Sequence, residues 1–92
     1  MLISIMHANN ETGTLQPIPE LPRIAHEGGA LFQTDAGQTA GKVPLAVEDL
    51  DVELVTVVGH KLYAPKGVGA LYVRSGIPLE PVIAGGRHEQ GL

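Results

Sequence analysis

The stretch Val52–Lys61, which reads Val-Glu-Leu-Val-Thr-Val-Val-Gly-His-Lys, sets the architecture of this 92-residue chain. Its first seven residues are mostly apolar and rich in β-branched side chains, which is typical of a strand covered on both faces of a sheet. The polar Gly-His-Lys that follows ends the run, so Val52–Val58 is predicted as the strongest strand of the chain. A lysine therefore stands at the carboxyl end of this strand.

Three further apolar runs extend the predicted sheet. Leu2–Met6 is predicted as a buried strand, Ala30–Thr34 as the second strand, and Val68–Val73 as the last. The first three strands alternate with long helical or irregular crossovers, which predicts an α/β fold with a largely parallel sheet. The link before Val68–Val73 is short enough for this strand to run antiparallel to its predecessor.

Smaller elements are expected between the strands. A short helix is predicted within Pro17–Glu27, with Pro22 in its first turn. The residues expected on one face of this helix are Leu21, Ile24 and Ala25. The other short predictions are a helical turn in Ala36–Gly41, a turn at Glu48–Leu50 and a small strand at Leu79–Ala84.

Each of the first three strands is followed by a polar segment. These segments are Asn9-Asn10, Asp35 with Gln38, and His60-Lys61. In open parallel sheets, ligands collect beyond the carboxyl ends of the strands. Three polar segments at one edge of the sheet therefore favour a small-molecule site there.

A lysine and a carboxylate at neighbouring strand ends suit a site for pyridoxal 5′-phosphate (PLP). The Lys61 amine can form a Schiff base with the aldehyde of PLP, and the Asp35 carboxylate can keep the pyridine nitrogen protonated. Each residue also has an ordinary explanation. Lys61 is alternatively a solvated lysine after a strand, and Asp35 is alternatively the N-cap of a helical turn.

Three more polar residues are candidates for the same site. Gln38 is suited to donate to the phenolic oxygen of PLP, and His60 is suited to bind its phosphate or ring. Asn10 is a candidate contact to the cofactor or the substrate. Gln38 is alternatively an ordinary exposed turn amide, and Asn10 is equally well explained as a loop amide that stabilises the turn at Glu11–Gly13.

Composition excludes several other classes of function. The net charge is −4 without a block of like charge, which argues against nucleic-acid and membrane partners. The chain has no cysteine, so it has no disulfide, no thiolate metal site and no cysteine nucleophile. His7, His26 and His88 share no ligand spacing and are expected on helix or loop surfaces, so no metal site is predicted. No signal-peptide or membrane-span pattern is present, and a cytoplasmic location is expected.

Three motifs together resemble one family. They are Asn9–Gly13 (Asn-Asn-Glu-Thr-Gly), Thr34–Gln38 (Thr-Asp-Ala-Gly-Gln) and Gly59–Leu71 (Gly-His-Lys-Leu-Tyr-Ala-Pro-Lys-Gly-Val-Gly-Ala-Leu). In order and spacing they resemble the cysteine desulfurases of the class V aminotransferase group, which are fold type I PLP enzymes. The resemblance implies homodimers that convert L-cysteine to L-alanine and pass the sulfur as a persulfide to acceptor proteins, as in iron–sulfur cluster assembly.

The resemblance also implies a role for each candidate residue. Lys61 corresponds to the catalytic, cofactor-binding lysine, and Asp35 to the partner of the pyridine nitrogen. The remaining cofactor contacts that it implies are Gln38 to the phenolic oxygen, Asn10 to the ring region and His60 to the phosphate. Several family members have a serine at the position of Val58, so one phosphate contact is missing here or supplied elsewhere.

Other features of the family have no counterpart in this chain. The resemblance covers only the central part of the family's large domain, so residues 1–92 are expected to be a fragment of that PLP-binding domain. The family's persulfide-forming cysteine and one phosphate-binding segment are absent. The segment Gly85–Gly91 resembles a family loop, but Arg87 and Gln90 depart from its pattern.

We therefore expect a piece of a cysteine desulfurase-like enzyme that has no turnover as an isolated chain. Two alternatives stay open. One is a segment of a selenocysteine lyase or of another class V aminotransferase, such as a serine–pyruvate type. The other is a non-catalytic half of a split enzyme or a scaffold module. Uncovered strands and apolar faces also predict self-association of the isolated chain.

Overall fold

The computed structural model describes residues 1–83, 85–86 and 88–89. Its elements are, in chain order, β1 (Leu2–Met6), α1 (Leu21–Glu27), β2 (Leu31–Asp35), α2 (Val47–Leu50), β3 (Leu54–Val58), a 3₁₀ turn (Gly59–Lys61) and β4 (Gly69–Val73). The four strands form one sheet in the order β1-β2-β3-β4. The first three strands are parallel and β4 is antiparallel to β3, which confirms the predicted fold class.

The strand register brings the carboxyl ends of the parallel strands to one edge of the sheet. Met6 at the end of β1 pairs with Asp35 at the end of β2, and Asp35 pairs with Thr56 of β3. β3 then continues to Val58, where the 3₁₀ turn begins. The residues that follow all three strands therefore gather at this edge.

The hydrophobic core lies on one face of the sheet. Phe32 of β2 and Val55 of β3 are almost completely buried there. Ala25 of α1 and Ile18 of the preceding segment pack in the same cluster. Burying one large apolar side chain stabilises a fold by about 1.5–3 kcal/mol, so this face contributes most of the apolar stabilisation.

The helices agree with the predictions in part. α1 has Pro22 in its first turn, as predicted, where the missing N–H has no helical partner to lose. Ile24 was predicted on the buried face but is 56% exposed, because Pro22 and Ala25 are the buried residues of α1. Residues 48–50, predicted as a turn, belong to the one-turn helix α2.

No helix in the described part of the chain is long and apolar enough to cross a membrane.

Two strand predictions are wrong. β1 was predicted to be buried, but Leu2 and Met6 are exposed because β1 is an edge strand with one covered face. The strand expected at Leu79–Ala84 does not form within residues 79–83. Proline at positions 78 and 81 removes backbone donors that a strand needs. Ala84 itself lies outside the described residues.

The second face of the sheet has little cover. Every second residue of each strand points to this face. The exposed apolar side chains on it are Leu2, Met6, Leu31 and Leu71. We call these four side chains the bare face. A hydrogen-bonded row of Ser4, Gln33 and Thr56 crosses between them. That residues 1–92 are part of a larger domain stays a prediction.

Candidate active site

A cavity of about 250 Å³ lies at the edge where the three parallel strands end. Its lining residues are Met6, Ala8, Asn10, Asp35, Gly37, Gln38, Val58, His60 and Lys61. All five residues predicted for the cofactor site are in this set. The cavity therefore has a carboxylate and an amine in its walls, together with an imidazole and two amides.

Asp35 lies at the last position of β2 and is held by the backbone around it. Its Oδ1 accepts a hydrogen bond from the N–H of Gly37 at 2.8 Å. Its backbone carbonyl accepts from the N–H of His7 at 2.8 Å. Within the described residues, Oδ2 of Asp35 has no hydrogen-bond donor. The carboxylate is thus fixed through one oxygen, and the other oxygen is free to accept a hydrogen bond from a ligand.

Gly37 is required for this arrangement by close packing. A Cβ at position 37 would stand 2.9 Å from Oδ1 of Asp35 and 3.0 Å from Cγ2 of Val58. Both neighbours line the cavity. Any larger side chain at position 37 would therefore displace the carboxylate or the wall formed by Val58.

Gln38 follows in the same turn and is half-buried in the cavity wall. The turn is closed by Ala40, whose N–H donates to the carbonyl of Ala36 at 2.8 Å. Ala36 is completely buried in the core. The predicted helical turn at Ala36–Gly41 is thus a series of hydrogen-bonded turns anchored to the core on one side and to the cavity on the other.

Lys61 ends the 3₁₀ turn that follows β3 and is half-buried. The turn starts at Gly59, whose N–H donates to the carbonyl of Val68 at 2.8 Å. A Cβ on Gly59 would stand 2.7 Å from that carbonyl oxygen, so only glycine allows the contact. Lys61 makes no salt bridge with any described residue. Its amine is therefore available for chemistry, and His60 beside it is exposed.

Asn10 is held in position by Asn9. The side-chain Oδ1 of Asn9 accepts hydrogen bonds from the N–H groups of Glu11 and Thr12, both at 2.9 Å. Its backbone carbonyl accepts from Gly13 at 3.0 Å. Asn9 thus builds the turn that places Asn10 in the cavity wall, a type of structural role that Asn performs in many turns.

Sequence reasoning missed two residues behind the cavity. His7 was expected on a surface, but it is buried, and its Nδ1 lies 2.9 Å from Oγ1 of Thr39, which is also buried. Burial lowers the pKa of His7 from its ordinary value. His7 directly follows the predicted strand Leu2–Met6, and its burial depends on packing against a segment thirty-two residues away. No local pattern signals that contact.

The donor set is suited to PLP. A ring nitrogen that must stay protonated needs a carboxylate oxygen without another donor, and Oδ2 of Asp35 meets that requirement. An aldehyde needs a lysine amine that is not engaged in an ion pair, and Lys61 meets it. Val58 carries no hydroxyl for the phosphate, and the imidazole of His60 is among the cavity groups that could donate to it.

Comparisons with known proteins point to one family. The Aminotransferase class-V family model matches residues 1–91. A cysteine desulfurase of Gluconacetobacter diazotrophicus is 53% identical over 90 residues, which cover 98% of this chain and 22% of the relative. The cysteine desulfurase IscS of Dictyoglomus turgidum is 55% identical over 89 residues, which cover 97% of this chain and 23% of the relative.

Solved structures agree with these relatives. The structure of SspA in complex with cysteine has a TM-score of 0.91 and 46% identity, and the match covers 99% of this chain and 27% of that chain. A NifS-like protein from Rickettsia africae has a TM-score of 0.90 and 37% identity, with 98% of this chain and 25% of that chain covered. The chain therefore spans about a quarter of the length of the relatives it matches.

Proposed function

The chain belongs to the aminotransferase class-V family, and on this basis we propose that it forms the PLP-binding centre of a cysteine desulfurase. One observation carries the proposal. Lys61 and Asp35, which follow different strands, line the same cavity. A lysine amine and a carboxylate at one small cavity are the two groups that PLP catalysis needs from a protein.

Each of the five polar or charged side chains in the cavity wall has one task in this site. The Lys61 amine binds the aldehyde carbon, and Oδ2 of Asp35 holds a proton at the pyridine nitrogen. The Gln38 amide donates to the phenolic oxygen, the Asn10 amide contacts the ring region, and the His60 imidazole binds the phosphate. When bound, PLP supplies an electron-withdrawing ring that stabilises negative charge at the α-carbon of an amino acid.

We propose L-cysteine as the amino-acid substrate of the intact protein. The relatives named above are cysteine desulfurases, and one solved neighbour is a complex with cysteine. These names favour cysteine over the selenocysteine lyase and serine–pyruvate alternatives. Nothing specific favours the split-enzyme or scaffold alternative. Since the chain has no cysteine, the thiol that accepts the sulfur is supplied by another part of the protein or by a partner.

Residues 1–92 are accordingly proposed to be part of a PLP-binding large domain, and the intact protein to be a homodimer that passes sulfur to an acceptor protein. The bare face and the exposed edge strand β1 support the first of these proposals. A complete domain of this class covers both faces of a parallel sheet.

The test of this proposal is covalent capture of PLP by Lys61. The chain is incubated with PLP, reduced with borohydride and digested, and the modified peptide is identified by mass spectrometry. We expect the label on Lys61 and its loss in Lys61→Ala. Lys66→Ala, which changes an exposed lysine outside the cavity, is the matched control and keeps the label. Equal labelling of Lys61→Ala and the unaltered chain would contradict the proposal.

A further inference from the structure

His7 makes two contacts with the segment that carries Asp35 and Gln38. Its backbone N–H donates to the carbonyl of Asp35 at 2.8 Å. Its imidazole Nδ1 is hydrogen-bonded to Oγ1 of Thr39 at 2.9 Å. The residue that follows β1 therefore binds Asp35, just before the turn, through its backbone and Thr39, within the turn, through its side chain.

Thr39 transmits this contact to the rest of the turn. Its backbone N–H donates to the carbonyl of Ala36 at 3.0 Å, and its hydroxyl lies 3.4 Å from the same oxygen. Thr39 is 1% exposed and His7 is 7% exposed, so both side chains are shielded from water. The hydrogen bond between them is made inside the protein, where competition from solvent is weak.

His7 is also connected to the loop that carries Asn10. Its carbonyl accepts a hydrogen bond from the N–H of Gln16 at 2.9 Å, and the next residue, Ala8, forms a β-bridge with Leu15. The two sides of this loop are thus tied together at His7. The same residue therefore fixes the segment of Asn10 and the segment of Asp35 and Gln38.

Neither His7 nor Thr39 lines the cavity. Stability alone does not explain a buried imidazole and hydroxyl, because two apolar side chains of the same shape can replace such a pair at nearly no cost. A hydrogen bond adds direction, which apolar packing lacks. Burial lowers the pKa of His7, which keeps the imidazole neutral near pH 7 and allows one ring nitrogen to accept a hydrogen bond.

We propose that His7 and Thr39 form a buried brace that positions Asp35 and Gln38 for PLP. The inference rests on the proposed function, since it concerns the same site. In this role His7 and Thr39 are positioning residues that touch neither cofactor nor substrate. They hold the carboxylate and the amide at the distance from Lys61 that one cofactor ring requires.

Two substitutions of Thr39 separate positioning from packing. Thr39→Val keeps the shape and removes the hydroxyl, whereas Thr39→Ser keeps the hydroxyl and removes a methyl group. PLP affinity is measured by absorbance titration of the full chain, and stability by urea unfolding followed by circular dichroism. We expect Thr39→Val to weaken PLP binding about five- to tenfold, the effect of losing one hydrogen bond. Thr39→Ser is expected to bind PLP within about twofold of the unaltered chain.

His7 provides the second arm of the same experiment. His7→Asn keeps a polar atom near the position of Nδ1, and His7→Leu does not. The brace predicts that His7→Asn binds PLP more tightly than His7→Leu, although the apolar leucine suits the buried position better. The reverse order, or equal affinities, would overturn the inference.

The outcomes distinguish this inference from the proposed function. Equal PLP affinity of Thr39→Val and Thr39→Ser, with PLP still captured by Lys61, overturns the brace alone. A lower urea midpoint in Thr39→Val without a change in PLP affinity also overturns it, because the role is then structural. Absence of PLP binding by the unaltered chain overturns the proposed function and the brace with it.

Discussion

At the residue scale, the candidate site depends on one carboxylate whose two oxygens have different partners. Oδ1 of Asp35 is occupied by the N–H of Gly37, and Oδ2 has no donor among the described residues. This division fixes the direction of the carboxylate before any ligand arrives. Gly37 makes it possible, because the position has no room for a side chain.

Gly37→Ala tests this packing. The new Cβ would stand within about 3 Å of Oδ1 of Asp35 and of Val58, so one of them must move. We expect a loss of about 1–3 kcal/mol in the free energy of unfolding, as for other overpacked sites, and a clear loss of PLP affinity. The measurements are urea unfolding and absorbance titration.

Gly28→Ala is the control for this substitution. Gly28 has φ −86°. A Cβ added at this position would stand 3.4 Å from the carbonyl oxygen of Ala25, the nearest atom outside the neighbouring residues. Alanine fits there and is expected to change stability by no more than about 1 kcal/mol. If Gly37→Ala matches Gly28→Ala in both stability and PLP affinity, the close-packed turn is not needed for the site.

The residues that line the cavity could be predicted from the sequence, whereas the buried residues behind it could not. Asp35 directly follows a predicted strand, and Lys61 and Asn10 lie in the polar segments that follow the other two, so their location at strand ends could be predicted from position alone. His7 and Thr39 could not be predicted, because their pairing depends on the register between β1 and the turn after β2. Asn9 was noted only as a neighbour of Asn10, although its spacing to Thr12-Gly13 is a recognisable turn pattern.

At the element scale, the four strands of the sheet were predicted, whereas the exposure of β1 and the absence of a strand within residues 79–83 were not. β3 is rich in Val and other β-branched residues, and β4 is an apolar run that ends in Tyr72 and Val73; both form in the predicted order. The exposure of β1 and of Ile24 was not predicted, because both depend on which neighbour covers each face. An apolar run shows that a segment can be buried, but it does not show what buries it.

A group of charged residues joins several elements at the amino end of β3, the end of this strand away from the cavity. Glu53, which directly precedes β3, is buried and accepts hydrogen bonds from Nε2 of His26 at 3.0 Å and from the N–H of Phe32 at 2.8 Å. Arg74 forms an ion pair with Glu53 at 3.2 Å and another with Asp51 at 2.9 Å. These contacts connect α1, β2, β3 and the end of β4. We call this group the Glu53 cluster.

Glu53→Gln tests the contribution of the cluster to stability. Burial raises the pKa of Glu53, but the hydrogen bonds from His26 and Phe32 and the charges of His26 and Arg74 outweigh it, so the pKa is lowered overall. The carboxylate therefore stabilises the fold above its ordinary pKa, near 4.3, and this stability is lost as the pH falls through the lowered value. At pH 7 we expect Glu53→Gln to cost about 1–3 kcal/mol.

Urea unfolding as a function of pH is the measurement for the Glu53 cluster. The difference between Glu53→Gln and the unaltered chain should shrink as the pH falls below the ordinary glutamate pKa. Glu27→Gln is the control, since Glu27 pairs with Arg23 on the exposed side of α1 and such pairs are worth about 0–1 kcal/mol. A difference that is constant from neutral to acidic pH would rule out the proposed role of the carboxylate.

At the scale of the whole molecule, the described residues cover one face of the sheet and leave most apolar side chains of the other face exposed. The bare face presents Leu2, Met6, Leu31 and Leu71, and β1 is an exposed edge. The apolar composition of the strands indicated cover on both faces, and that cover is not provided by the described residues. The four strands of the sheet were predicted from the sequence, and the cover of its second face by a larger domain stays a prediction.

Sedimentation at increasing concentration tests whether the bare face drives self-association. The chain is expected to associate, and Leu71→Lys is expected to weaken association about tenfold, the effect of removing one buried leucine from a contact. Leu15→Lys is the control, because Leu15 is 52% exposed, close to the 51% of Leu71, but lies outside the sheet. A monomer with cooperative unfolding at every concentration would be inconsistent with this expectation.

Asp35 and Lys61 are proposed to hold opposite parts of one PLP ring. The protonation state of the pyridine nitrogen in bound PLP reports on the Asp35 side of this arrangement. Asp35→Asn keeps an oxygen that can accept the N–H of Gly37, so it preserves the turn and removes only the charge. The measurement is nitrogen NMR of PLP labelled at its pyridine nitrogen and bound to each chain at neutral pH. We expect a protonated nitrogen in the unaltered chain and an unprotonated nitrogen in Asp35→Asn. The same protonation state in both chains would contradict it.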